Sequence, residues 1–346
     1  MWRQQDMPAA AGEAERSEAP LICFTVFAPA AAGASLFALP LGGGWALAAI
    51  VVLMVTAGML ASVAHLARPL RAPRSLTHLG SSWLSREILA VSAFWALAAL
   101  WLVCELGGAL ALGGDPAADG VGAAGAAAGA AEPAGGFPWT AAARAFHGAA
   151  AVVGIVLLWV IAKAYRVHGQ PAWDGSDTFW ELVAGALGSG GTVAAAVAAG
   201  QGIAVGGPLC PGSIFGCCSA ATLGLIAILA ISAACLVMGF AHRRRAIRVA
   251  ALGKMEGGPR ARAACDDLVQ RGSEPRAYLI LDSLAAACAL AACAMALLLG
   301  GDAMGDLLAA VALALCAILE LAAQASIRNR FYSLAQRVRF AASPWR

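Results

Sequence analysis

Eight stretches of uninterrupted apolar sequence decide what this chain can become. They fall at residues 21–41, 45–66, 88–112, 143–163, 179–199, 220–241, 278–300 and 307–326. Each supplies the roughly 20 residues of helix that a hydrocarbon core of about 30 Å demands. Backbone amides must be satisfied internally in lipid, which leaves α-helices or closed β-barrels. Barrel strands alternate apolar and polar residues over about ten positions, whereas these runs are continuous and rich in Ala, Leu and Gly. The fold class is therefore all-α: a polytopic transmembrane helical bundle with eight spans. Composition agrees, because only 12% of the 346 residues are charged and the mean hydropathy is +0.76, against about 25% charged in a soluble domain.

Residues 1–20 are polar, carry Asp6, Glu13, Glu15 and Glu18, and lack the basic start and small-residue cleavage site of a signal peptide. They are read as a retained tail ahead of a transmembrane domain at 21–327, with a basic tail at 328–346. Within the domain, 113–138 is a low-complexity Gly/Ala/Pro loop and 242–276 a basic loop. The run "GALGSGG" at 185–191 fits close helix approach in lipid rather than a phosphate loop. No internal repeat is obvious.

Eight spans put both termini and the loops after spans two, four and six on one rim. That rim holds 22 of the 23 Lys and Arg residues, with Arg144 opposite. The positive-inside rule makes it cytoplasmic, termini included.

The ten cysteines show no iron–sulfur or zinc spacing. Cys23, Cys104, Cys235, Cys288, Cys293 and Cys316 lie inside spans as small apolar residues. In "LCPGSIFGCC", Cys210 either pairs with Cys217 or Cys218 in an oxidising compartment or stays reduced in a re-entrant loop. The five histidines offer no pair at one depth within the spans, and His147 stands alone near the sparsely charged rim, so neither haem nor another metal is expected. Glu105 and Asp282 are acids inside spans three and seven, serving either a proton path or hydrogen bonds between helices.

One region carries more than packing. In "HLARPLRAPRSLTHLGSSWLSREIL", residues 65–89, Pro69 stops the second helix and the third opens at "SSWLSRE". Ser85 suits an N-cap and Glu87 the positive end of a helix; Arg86 and Trp83 suit interfacial anchors. Those roles do not account for His65, which ends the neighbouring helix at similar depth in a chain with so few titratable groups.

That stretch resembles the signature of the membrane anchor subunit of the dimethyl sulfoxide reductase family. Weaker echoes of the same family lie in "YRVHGQPAWDG" (165–175) and "ELAAQASIRNRFY" (320–332). The resemblance implies an anchor in a bacterial inner membrane that oxidises menaquinol for anaerobic respiration. It would pass the electrons to a four-cluster iron–sulfur subunit and thence to a molybdopterin catalytic subunit. It implies that His65 and Glu87 bind quinol and accept its protons, with Arg86 and Trp83 beside them, and that the anchor itself holds no metal. Two other classes fit eight spans: a secondary transporter or channel, and an anchor that docks partners without binding quinone.

Overall fold

The computed structural model describes residues 18–65, 78–111, 137–166, 173–205, 219–254, 276–299 and 303–333. The polar leader up to residue 17, the connector arginines Arg68, Arg71 and Arg74, the 113–138 loop and the Cys210, Cys217 and Cys218 cluster lie outside the described residues. Among those described there is no strand, and eight helices are long and apolar enough to cross a membrane. They are α1 (Ala19–Leu41), α2 (Trp45–His65), α3 (Trp83–Ala111), α4 (Trp139–Ala164), α5 (Asp177–Val205), α6 (Ala220–Lys254), α7 (Arg276–Leu298) and α8 (Ala303–Ser333). Large apolar side chains on outer faces, among them Leu53, Leu60, Leu229, Leu236 and Ile318, are exposed, as a lipid-facing surface requires. The chain is a multi-pass membrane protein.

Three boundaries differ from the sequence reading for local reasons. Helix α3 begins at Trp83, and its N-cap is Ser82, whose Oγ accepts the Ser85 N–H at 3.3 Å; Ser85 is already helical. The apolar run marks where burial starts, but the helix starts where a hydroxyl can satisfy an orphan N–H. Helix α6 continues past 241 through "HRRRAIRVAALGK" to Lys254, because Ala and Arg are strong helix formers and no proline intervenes. More than a third of the expected basic loop is thus helix. Helix α8 likewise runs on to Ser333, which puts Arg328 inside it. Between α1 and α2, Gly42, Gly43 and Gly44 adopt φ of 96°, 71° and 109°, left-handed values that make a three-residue reversal possible only for glycine.

The eight helices form two four-membered rings. Helices α1–α2–α3–α4 close through an α1–α4 contact, α5–α6–α7–α8 through an α5–α8 contact, and α1 packs on α5 as the central pair. Both rings start at the basic rim. Packing in lipid asks for small residues and matching shape, not for particular side chains.

The α1–α5 seam shows that demand directly. A Cβ on Gly33 would overlap the Ala186 carbonyl, and one on Gly190 would meet the backbone of Gly33 at 2.5 Å. Gly33→Ala is therefore expected to lower stability by about 1–3 kcal/mol. Gly239→Ala, with nothing within 4 Å of the new methyl, serves as the silent control. Thermal unfolding in detergent checks the pair, and equal midpoints would show that the seam can open without cost.

Candidate functional site at the basic rim

The odd-numbered helices start at the basic rim and the even-numbered ones end there, so one layer gathers the first turns of α3, α5 and α7 with the last turns of α2, α4, α6 and α8. Glu87, in the second turn of α3, is only 5% exposed. Arg86 turns away from it: Nε donates to Leu79 O at 2.8 Å and Nη2 to Gly80 O at 2.9 Å. The same guanidinium lies 4.3 Å over the Trp83 ring, which meets Trp159 edge-on at 5.3 Å, with the Lys163 ammonium 5.6 Å from Trp159. Trp83, Arg86, Lys163 and Trp159 thus make an interfacial girdle. Among the described residues no cation forms an ion pair with Glu87. His65 closes α2, and its side chain lies outside the described residues.

Two phenols lie within electrostatic reach of the Glu87 carboxyl: Tyr165, just past α4, and Tyr332, in the last turn of α8, whose rings meet edge-on at 6.0 Å. Burial, reinforced by Tyr332 and then Glu87, holds the Tyr165 hydroxyl well above the usual phenol range. It therefore remains an O–H donor at any physiological pH. Tyr332 Oη is 3.4 Å from Leu21 O and 3.5 Å from Thr25 Oγ1. Trp173 lies flat on Phe331 at 4.9 Å and donates its indole N–H to the Phe331 carbonyl at 2.8 Å. Two of the stretches that carried the family resemblance, 165–175 and 320–332, meet here, and Glu87 of the third lies within electrostatic reach of them.

Behind the aromatic layer sits an ion cluster that sequence reading did not single out. Arg245 donates from Nε to Asp177 Oδ2 at 3.0 Å and from Nη1 to Glu181. Arg248 reaches Asp177 at 2.9 Å, His242 Nε2 lies 3.2 Å from Glu181, and Arg328 Nη1 lies 3.7 Å from Glu181 Oε2. Asp177, Glu181, His242, Arg245 and Arg328 are all buried. Arg245 and Arg328 also sit 5.4 and 5.7 Å over the Phe331 ring. A usable signal existed: Asp177 and Glu181 are four residues apart at one helix end, and His242, Arg245 and Arg248 three apart at another, spacings that put each set on one face. Burying acids and guanidiniums together neutralises each, ties the ends of α5, α6 and α8 together, and fixes the wall against which Tyr165 and Tyr332 stand.

The two other acids named from sequence lie elsewhere, one in each ring. Glu105, towards the opposite rim, accepts the Trp101 indole N–H at 2.9 Å. His147, near that rim, stacks on Trp101 at 4.0 Å with its Nε2 2.8 Å from Ser35 O. Asp282 sits two turns into α7, against Cys235 of α6 and Glu320 of α8.

The family model described as DMSO reductase anchor subunit (DmsC) matches residues 13–110. That segment takes in α1, α2 and α3, with His65, Trp83, Arg86, Glu87 and Glu105. No curated protein matches the chain.

Proposed function

We propose that this chain is the quinol-oxidising membrane anchor of a dimethyl sulfoxide reductase-type complex, with its quinol site at the Glu87 rim. The observation that carries the reading is Glu87 itself: a buried carboxyl within electrostatic reach of two phenols, without an ion-pair partner among the described residues, inside the segment the family model matches. Ionisable groups at membrane depth are costly, so a carboxyl buried there argues for use.

Menaquinol, the substrate, gives up two protons and two electrons as it becomes menaquinone. A base must take each proton. Glu87 takes one from a ring hydroxyl, and His65, an imidazole ending the adjacent helix, is suited to the other. Tyr165 and Tyr332, as O–H donors, hold the ring oxygen as it becomes a carbonyl. The electrons leave through a four-cluster iron–sulfur subunit docked on the basic rim and are consumed by a molybdopterin subunit. An apolar cleft of about 170 Å³ between α1, α4 and α5, lined by Phe37, Ile155, Phe179 and Val183 among others, would take part of the prenyl tail.

Extraction of the purified complex should yield a bound naphthoquinone, and the chain should co-purify with the iron–sulfur subunit, crosslinked at the basic rim. A protein free of quinone that instead drives substrate-dependent ion flux in liposomes is a transporter, and sinks the reading. Because 22 of 23 basic residues share that rim, a reporter active only outside the cytoplasm should stay silent when fused after Arg346; an active fusion would invert the orientation.

A further inference from the structure

We propose that Asp282 and Glu320 hold one exchangeable proton between them inside the membrane, and that Cys235 and Tyr278 connect this proton to the basic rim. The two carboxyls, from α7 and α8, lie within hydrogen-bond reach of each other. Each has one oxygen already served by a neutral donor: Cys235 S–H donates to Asp282 Oδ2 at 2.9 Å, and Gln324 Nε2 to Glu320 Oε1 at 3.0 Å. Each leaves the other oxygen, Asp282 Oδ1 and Glu320 Oε2, buried without a donor. Two carboxylates this close cannot both stay ionised in a low-dielectric interior, and one proton between them supplies the missing donor to both.

The surroundings are built for such a pair. Glu320 is fully buried and Asp282 is 9% exposed. The Gln324 side chain, 2% exposed, turns its amide nitrogen to Glu320 and leaves its own Oε1 unpartnered. Helix α5 yields space with two glycines: a Cβ on Gly188 would overlap Glu320 Oε1, and one on Gly185 would come within 3.1 Å of Gln324 Oε1. The other titratable groups facing the pair are thiols and a phenol: Cys235 from α6, Tyr278 and Cys288 from α7, and Cys316 from α8. Helix α1 carries no charged residue. On α5 the nearest charge is Glu181, already engaged with Arg245 and Arg328 nearer the rim. With no guanidinium or ammonium among these neighbours, the pair's compensation is a proton.

The connection to the rim is directional. Tyr278 lies in the first turn of α7, its hydroxyl 3.8 Å from Cys235 Sγ, and Cys235 in turn donates to Asp282. Each hydroxyl or thiol in that chain can pass its proton inward and regain one from the rim side. The pair lies in the second ring, whereas Glu87 lies in the first, so the proposal stands or falls independently of the quinol reading.

Infrared spectroscopy of the full-length chain in lipid tests it. At neutral pH the wild type should show the carbonyl stretch of protonated carboxyls, shifting when water is replaced by D2O. The double variant Asp282→Asn with Glu320→Gln should lose the part owed to this pair, whatever Glu87 contributes. Cys235→Ala should slow the D2O-induced shift, and Cys235→Ser, which keeps a donor, should restore it. A double variant with an unchanged band overturns the shared proton, and equal exchange in wild type and Cys235→Ala overturns the connection. Should the double variant fail to fold, the wild type is treated with dicyclohexylcarbodiimide, which attacks protonated carboxyls in apolar surroundings. Adducts at Asp282 or Glu320 that vanish at high pH support the proposal, and adducts confined to other residues refute it.

Discussion

Glu87→Gln should leave the complex assembled and lower quinol-linked turnover by about 10² or more, while electrons supplied by an artificial dye are consumed at the wild-type rate. The amide fills the same space and keeps local hydrogen bonds, but it is not a base at neutral pH. Were Glu87 present only to favour a helix N-terminus, the change would cost on the order of 0.3–1 kcal/mol and leave turnover intact. The structure weakens that reading, since Ser82 already caps α3 and Glu87 sits one turn further in. His65→Arg should behave like Glu87→Gln by placing a permanent cation at the end of α2. The measurement is the ratio of quinol-linked to dye-linked activity in membranes with matched subunit levels. An unchanged ratio in both variants would leave Glu87 and His65 as structural groups.

The helix count and the helical fold were legible because each rests on local rules: span length and apolar continuity. Helix ends were less so. Helix α6 runs to Lys254 on local propensity that the apolar run does not mark, and the partners of its Arg245 and of Arg328 in α8, Asp177 and Glu181, lie on another helix that no neighbouring residue announces. Arg245 reads as one more cytoplasmic arginine until α5 supplies two carboxyls. The same holds for the candidate site. Glu87 was visible as an acid near a helix start, but Tyr165 and Tyr332 reach it only because two distant helix ends converge. The Asp282–Glu320 pair shows both sides of this limit: Asp282 stood out as a lone acid in an apolar run, and its meaning came from a second acid on another helix.

The largest effect on stability is expected at Glu181. Its carboxyl is fully buried against Arg245, with His242 and Arg328 beside it. Removing it in Glu181→Ala leaves Asp177 to balance Arg245 and Arg248, with Arg328 stripped of the one acid paired with it among the described residues. A buried ion pair contributes little net stability while intact, because desolvation offsets attraction, but breaking one side costs about 3–5 kcal/mol through the uncompensated charge. Adding Arg328→Met to Glu181→Ala removes that orphaned guanidinium and should recover part of the loss. The two singles and the double therefore form a cycle whose coupling measures the contact at 3.7 Å. Unfolding in detergent, followed by thermal midpoint and by protease access to the ends of α5, α6 and α8, reads the outcome. If Glu181→Ala unfolds like the wild type, water or lipid already screens the cluster, and the rim owes its shape to the aromatic stack of Trp173, Phe331 and Tyr165 instead.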